Sequence, residues 1–154
     1  MTTHSFARAV TALVLFTTWG SVQASGSATV DVTASVSAVC QFSGTMSAIA
    51  FGAIDPSAVA GDLTATGNIT YKCTKGTTPT VSITGGASRT MTDAGTGNTI
   101  PYSLAMGTHD TGTGFSASAA ATKVQATATI SQTNAQDAKA GTTYKETVTL
   151  TINN

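Results

Sequence analysis

The stretch SATVDVTASVSAVC, residues 27–40, has the cleanest alternating pattern in the chain. Every even-numbered position from Ala28 to Cys40 holds an apolar residue or cysteine, and nearly every odd-numbered position holds Thr, Asp or Ser. A two-residue period is typical of a β-strand with one buried face. The pattern therefore predicts a strand near the start of the chain, where chains usually fray.

The residues before this stretch predict export. Arg8 is followed by the apolar run AVTALVLFTTW (9–19), and VQA then precedes Ser25. This order is typical of a signal peptide, here residues 1–24, cleaved between Ala24 and Ser25. A membrane anchor is the alternative, but the run is shorter than the ~20 residues that span a bilayer. We therefore expect an exported chain that does not insert into a membrane after cleavage.

Composition limits what the exported part does. Seven Lys and Arg residues balance seven Asp and Glu residues over the full chain, and Arg8 belongs to the predicted signal peptide. This balance argues against a nucleic-acid partner or an anionic membrane surface. Residues 25–154 suffice for one domain with a core and are too few for two ordinary ones. Their abundance of Thr, Ser, Ala and Gly favours β-sheets over helices.

The two cysteines, Cys40 and Cys73, are predicted to form a disulfide, because export places both in an oxidising compartment. The alternatives are a zinc site or a catalytic thiol. A zinc site is hard to build from two cysteines and the single histidine after the signal peptide, His109. A catalytic thiol requires a positioned base.

Further runs with a two-residue period follow, separated by segments rich in Gly, Asp, Asn and Thr, such as TGGASRT (84–90). No segment has the sustained 3.6-residue apolar period of a long helix. The pattern predicts an all-β fold, an antiparallel β-sandwich of immunoglobulin-like kind. The predicted strands are NITYKC (68–73), TVSIT (80–84), IPYSLAM (100–106), KVQATATIS (123–131) and YKETVTLTI (144–152).

Residues with catalytic chemistry are sparse and scattered. His109 lies in GTHDTGTG, a stretch without apolar periodicity. A solvated loop histidine is therefore a simpler interpretation than a member of a Ser-His-Asp triad. The carboxylates are spread along the chain, so no acid–base pair is predicted. We expect no catalytic residue, no metal site and no cofactor, and hence no enzyme.

The last run, GTTYKETVTLTINN (141–154), also alternates. Its apolar face is Tyr144, Val148, Leu150 and Ile152, and Thr and Lys occupy the other face. Two interpretations follow from the two terminal strands. They pair with each other and close one sandwich, or the N-terminal strand completes the sheet of a neighbouring molecule by β-augmentation.

The order of motifs resembles the spore coat protein U domain family and, within it, Csu-type subunits of archaic chaperone–usher pili. The resemblance covers residues 27–154. After the alternating extension that ends at Cys40, the motifs are FGAIDP (51–56), YKC (71–73), GGASRTM (85–91), IPYSL (100–104) and a terminal GTTYKETVTLTI (141–152).

The resemblance implies an incomplete sandwich that a donor strand from a neighbouring subunit completes. Residues 25–39 would be the donor extension and residues 40–154 the pilin domain. Its implied partners are identical or related pilin subunits, a periplasmic chaperone and an outer-membrane usher. The inward-facing residues of the donor strand would be Val30, Val32, Ala34, Val36 and Ala38, and the C-terminal wall of the acceptor groove would be Tyr144, Val148, Leu150 and Ile152.

The implied function is that of a structural pilus subunit that supports adhesion and biofilm formation. The implied route leads through the periplasm to the surface of a Gram-negative bacterium. The alternative is a self-contained secreted β-sandwich, such as a spore-coat, matrix or carbohydrate-binding module, whose N-terminal strand pairs with its own domain. A secreted enzyme is a third class, which the lack of a reactive constellation disfavours.

Overall fold

The computed structural model describes residues 26–154, so the predicted signal peptide and its cleavage site lie outside the described residues. Eight strands, one α-helix and one 3₁₀ helix are present in this part of the chain. They are β1 (Cys40–Phe42), the 3₁₀ helix (Pro56–Ala58), β2 (Leu63–Cys73), β3 (Thr80–Ile83), β4 (Ser88–Asp93), β5 (Thr99–Met106), β6 (Thr122–Ile130), α1 (Gln132–Gln136), β7 (Tyr144–Lys145) and β8 (Leu150–Asn153).

The strands form two antiparallel sheets, and the prediction of an all-β sandwich is confirmed. The larger sheet has the order β1-β2-β6-β5-β4-β7, and the smaller contains β3 and β8. The longest ladder joins β2 and β6, which are in register from Leu63 opposite Ile130 to Tyr71 opposite Thr122. The smaller sheet thus has far fewer strands than the sheet it packs against.

The core follows the two-residue period of the sequence. On β2 the buried side chains are Ile69, Tyr71 and Cys73, and on β6 they include Val124 and Ile130. Full burial of one such aliphatic side chain stabilises the fold by about 1.5–3 kcal/mol. Val81, Val148, Leu150 and Ile152, on or beside the smaller sheet, pack against this face of the large sheet.

The predicted disulfide between Cys40 and Cys73 is confirmed. Its sulfur atoms are 2.00 Å apart, and the two residues are also cross-strand partners of β1 and β2. Cys73 is fully buried, so the bridge joins the start of β1 to the core.

The two ends of the chain differ from the predicted strands. Of the stretch 27–40, only Cys40 belongs to a strand, because residues 26–39 have no ladder partner among the described residues. A strand is stable only where its backbone groups are paired. At the other end, the predicted run 144–152 is divided: β7 pairs with β4 of the large sheet and β8 pairs with β3 of the small one. The segment crosses from one sheet to the other.

The predicted turn TGGASRT is shorter than expected. Gly85 and Gly86 have φ of 88° and 87°, a conformation that favours glycine, but β4 already begins at Ser88. The sequence did not predict strand β4, because two of its inward-facing residues are Arg89 and Met91 and they form no alternating apolar run.

The chain divides into two units, with the boundary between Ala34 and Ser35. In the described part of the first unit, residues 26–34, every residue is exposed and none belongs to a helix or strand. The second unit, residues 35–154, contains both sheets.

Candidate strand-acceptor groove

Strand β8 has one paired edge and one open edge. On the paired edge, Thr149 O accepts a hydrogen bond from Thr84 N at 3.0 Å, and the ladder with β3 continues to Asn153. Bonded and non-bonded pairs alternate along an antiparallel ladder. Leu150 and Ile152 therefore direct their N–H and C=O groups away from β3. No strand pairs with this edge among the described residues, so it presents free backbone groups to another extended chain.

A groove lies beside this edge. One cavity of about 410 Å³ has residues 46–51 on one side and residues 144–150 on the other. Its floor is the inner face of the large sheet, where Ala126 and Ala128 have side chains too small to fill the space. An opening of this shape, apolar and bordered by a free strand edge, suits an extended segment with alternating apolar side chains.

The groove continues past the first cavity. A second cavity of about 850 Å³ shares Ile49, Phe51, Met91 and Tyr144 with the first. It extends between the segment that leads to the 3₁₀ helix and residues 138–144. The two cavities are thus adjacent within the second unit.

The structure places the residues predicted for the C-terminal wall as follows. Tyr144, Val148 and Leu150 line the first cavity, and Ile152 packs against the core next to it. All four are half-buried, whereas the intervening Lys and Thr residues are exposed. Their role in receiving a donor strand stays a prediction.

Sequence reasoning missed a charged residue on the same wall. Glu146 has the same parity as Val148 and also lines the cavity, half-buried. Arg89 Nη2 donates a hydrogen bond to Glu146 Oε1, and Arg89 Nη1 donates to Thr84 O at 2.8 Å. Among the described residues, the buried atoms Glu146 Oε2 and Arg89 Nε have no hydrogen-bond partner. The sequence does show that Glu146 lies on the same face of the predicted strand as Val148. It does not show that Arg89, which is distant in sequence, pairs with it.

Tyr102 completes this polar end of the wall. It is the cross-strand partner of Arg89 and also lines the first cavity. Burial, followed by the neighbouring carboxylate of Glu146, raises the pKa of Tyr102 to about 12. The phenol therefore stays neutral and can donate a hydrogen bond at any physiological pH.

Asp93 anchors the segment that leads into the C-terminal wall. Its carboxylate is fully buried and accepts backbone hydrogen bonds from Thr143 N at 2.7 Å, Gly95 N at 2.8 Å and Thr96 N at 2.9 Å. The bond from Thr143, supported by those from Thr96 and Gly95, lowers the pKa of Asp93 to about 2. A Cβ atom at Gly141 would lie 2.8 Å from Asp93 Oδ2, so the close approach requires glycine.

The residues predicted for the donor strand are all exposed. Val30 is 83 % exposed, Val32 is 92 % exposed and Val36 is 83 % exposed. Ala34 and Ala38 are exposed as well. The three valines occupy even-numbered positions and therefore share one face of an extended chain. They form an apolar strip that is exposed in the described chain.

The base of this segment is held by the second unit. Val39 N donates to Thr74 Oγ1 at 3.1 Å, and Thr74 N donates to Val39 O at 2.8 Å. The Thr74 hydroxyl lies 3.1 Å from Ser37 O, to which it donates. Asn154 Nδ2 donates to Ala38 O at 2.8 Å.

His109 has a structural role. Its Nε2 atom accepts a hydrogen bond from Val81 N at 3.0 Å, and the next residue, Asp110, accepts one from the Tyr71 hydroxyl through its carbonyl at 2.7 Å. These bonds hold the loop against β2 and against the edge of β3 that faces away from β8. The expectation of a solvated loop histidine is wrong in this respect, because the imidazole is half-buried and bonded to a strand.

In residues 26–154, no group of three or more His, Cys, Asp or Glu residues is arranged to hold a metal ion. No helix in this part of the chain has both the length and the apolar character of a membrane span.

Comparison with known proteins identifies the family. Neither the curated proteins nor the solved structures include a match to the chain. The family model described as Spore Coat Protein U domain matches residues 26–151, which include the strongly exposed valines, both cysteines and the first half of strand β8. Since this match covers most of the sequence, the chain belongs to the Spore Coat Protein U domain family.

Proposed function

We propose that the chain is a structural subunit of a surface pilus, assembled head to tail by donor-strand exchange. The exposed strip of one subunit, Val30 to Val36, would occupy the groove of the next. The observation that carries the proposal is the free edge of β8 beside an apolar groove, in a chain whose own alternating segment is unpaired. Family membership supports it, because this domain is a structural, pilin-type domain associated with chaperone–usher pilus subunits.

The donor strip has the length and the pattern of one strand. Residues 30–36 span roughly 20 Å when extended. A two-residue period directs Val30, Val32, Ala34 and Val36 to one face, which meets the apolar floor of the groove. The backbone of the same strand would pair with the free N–H and C=O groups of Leu150 and Ile152.

The energy available from this contact is substantial. Each of the three valines is more than four-fifths exposed in the described chain. Burying each stabilises the contact by at most about 1.5–3 kcal/mol, so together they contribute up to about 5–9 kcal/mol before the cost of ordering the segment. Backbone pairing adds register and covers the free edge.

The same features explain why assembly needs helpers. A subunit with an open groove and an apolar strip is prone to unspecific association. In this proposal a periplasmic chaperone covers the groove until an outer-membrane usher brings the next extension to it. Because donor and acceptor are different surfaces of one subunit, the contact is head to tail, and a fibre grows when the rotation between subunits does not close a ring. The fibre then supports adhesion and biofilm formation at the surface of a Gram-negative cell.

The test compares the full chain with a variant that lacks residues 27–36. With the chaperone and usher present, the full chain should give a ladder of oligomers that resists SDS. The shortened variant keeps the groove but has no donor strip, so it can receive an extension but cannot add one to a growing end, and by itself it should give no ladder. A wild-type monomer whose residues 27–36 are protected from amide exchange, with no ladder, would contradict the proposal and favour a self-contained module.

A further inference from the structure

The residues at which the extension leaves the second unit are unusually well bonded for exposed chain. We define the exit clamp as Ser37–Val39 together with Thr74 and Asn154. Val39 N donates to the Thr74 hydroxyl, and Thr74 N donates to Val39 O. The Thr74 hydroxyl donates to Ser37 O, and the Asn154 side chain donates to Ala38 O. Three consecutive residues outside any strand are thus each held by the domain behind them.

The clamp continues directly from covalent and sheet structure. Cys40, the residue after Val39, is bridged to Cys73 and begins strand β1. Thr74, the residue after Cys73, supplies the clamp bonds. The chain SAVC from Ser37 to Cys40 contains no Gly or Pro, so nothing in its composition provides a flexible linker.

We infer that the exit clamp fixes the direction in which the chain leaves at Ser37 and thereby sets the angle between successive subunits of the fibre. The inference rests on the proposed function, because a joint exists only if the segment before Ser37 enters a neighbour. The chain passes from one rigid body to the next without a free spacer: Ser37 is bonded to its own subunit, and Val36 is the last residue assigned to the neighbour's groove. Thr74 and Asn154 act here as positioning residues.

The clamp accounts for a division of roles within the alternating stretch. The valines that are more than four-fifths exposed end at position 36, and the bonded backbone begins at position 37. Ala38, predicted from the sequence as an inward-facing donor residue, lies inside the clamp of its own subunit, where it is exposed. Under the inference its side chain lies at the joint between two subunits.

The experiment uses the full chain with the double substitution Thr74→Val and Asn154→Ala. Valine preserves the branched shape of threonine, and the backbone N–H of residue 74 still reaches Val39 O, but the side-chain bonds to Ser37, Ala38 and Val39 are lost. The matched control is Thr78→Val, which removes a hydroxyl that bonds to Thr111 at 2.9 Å, outside the clamp.

Fibres are imaged by electron microscopy, and the angle between neighbouring subunits and the persistence length are measured. The double variant should form fibres in comparable yield, with a broader angular distribution and a persistence length reduced at least about twofold, whereas Thr78→Val should match the wild type. Fibres of the double variant with an unchanged angle distribution and persistence length would overturn the inference alone. Absence of wild-type fibres would contradict the proposed function and the joint with it.

A second measurement examines the clamp without fibres. In the wild-type monomer, the amides of Ala38 and Val39 should have NMR order parameters near that of rigid backbone, about 0.85, and that of Ala38 should fall toward the flexible range, below about 0.6, in the double variant. The amides of Val30 and Val32 should be flexible in both proteins. A Val39 amide as mobile as that of Val32 in the wild type would refute the clamp.

Discussion

The substitution Val32→Asp and its neighbour Thr33→Asp provide the sharpest test of the donor strip. Val32 is 92 % exposed in the described chain, and Thr33 is exposed as well. Both substitutions add the same charge to the same segment. Because successive side chains of a strand face opposite ways, one charge enters the neighbour's groove and the other faces away from it.

The magnitude follows from burial. Val32→Asp removes about 1.5–3 kcal/mol of apolar burial and adds the cost of an unpaired carboxylate in an apolar groove, which is several kcal/mol. A total of at least about 3 kcal/mol corresponds to a loss of more than about 100-fold in binding of the strand, since 1.4 kcal/mol is tenfold. The stability of the isolated subunit should change by less than about 0.5 kcal/mol, because Val32 is exposed there.

The assay is the yield of SDS-resistant oligomers from equal amounts of exported subunit, with thermal unfolding of the monomer as the control. Val32→Asp should abolish the ladder, and Thr33→Asp should retain it within about threefold. Equal yields from the two variants, whether both high or both low, would refute the assignment of alternate residues to the groove.

Three further predictions concern the domain. Replacing both Cys40 and Cys73 by Ala removes a bridge with a sequence separation of 33. On the chain-entropy model this lowers the free energy of unfolding by about 4 kcal/mol and should lower Tm by roughly 10–15 °C. A decrease in Tm below about 4 °C in calorimetry would contradict this. Leu150→Asp places a charge on the groove wall and should prevent accumulation of the subunit on immunoblots of exported protein, whereas Asp at the exposed Thr149 should not; equal amounts would argue against the wall assignment. Backbone N–H donors lower the pKa of Asp93 to about 2, below its unfolded value of about 3.9, so the stabilising contribution of this carboxylate is complete above pH 4 and is lost as the pH falls toward 2. Asp93→Asn should therefore lower Tm at pH 6 and make Tm fall less between pH 4 and pH 2. An equal fall of Tm in the variant and the wild type would assign the acid sensitivity to other groups.

Much of the fold could be predicted from local pattern. The strands around Ile69, Val81 and Val124 were predicted because each alternates apolar and polar residues over its length, and such strands bury one face wherever they pair. The cysteine pair was predictable because an exported chain with two cysteines has few other uses for them. Strand β4 was not, since Arg89 occupies one of its inward positions.

The site was predicted in part. The parity of the last run identified Tyr144, Val148 and Leu150, which do line the groove. The ion pair of Arg89 with Glu146 joins residues 57 positions apart, and the hydrogen bond that Val81 N donates to His109 joins residues 28 apart. Local periodicity contains no information about contacts at such separations, so these side-chain pairs could not be predicted from the sequence pattern.

Local periodicity, the two cysteines and the order of motifs were enough to predict most of the strands, the bridge and the family, and to raise the expectation of an export segment. Which strand edges are paired could be seen only in the fold. The stretch 27–40 has the pattern of a strand, yet residues 26–39 belong to no ladder, and β8 pairs with β3 along one edge. The physical reason is that periodicity reports which side chains face an apolar surface, whereas backbone pairing depends on which segments meet in space, and that surface need not belong to the same molecule.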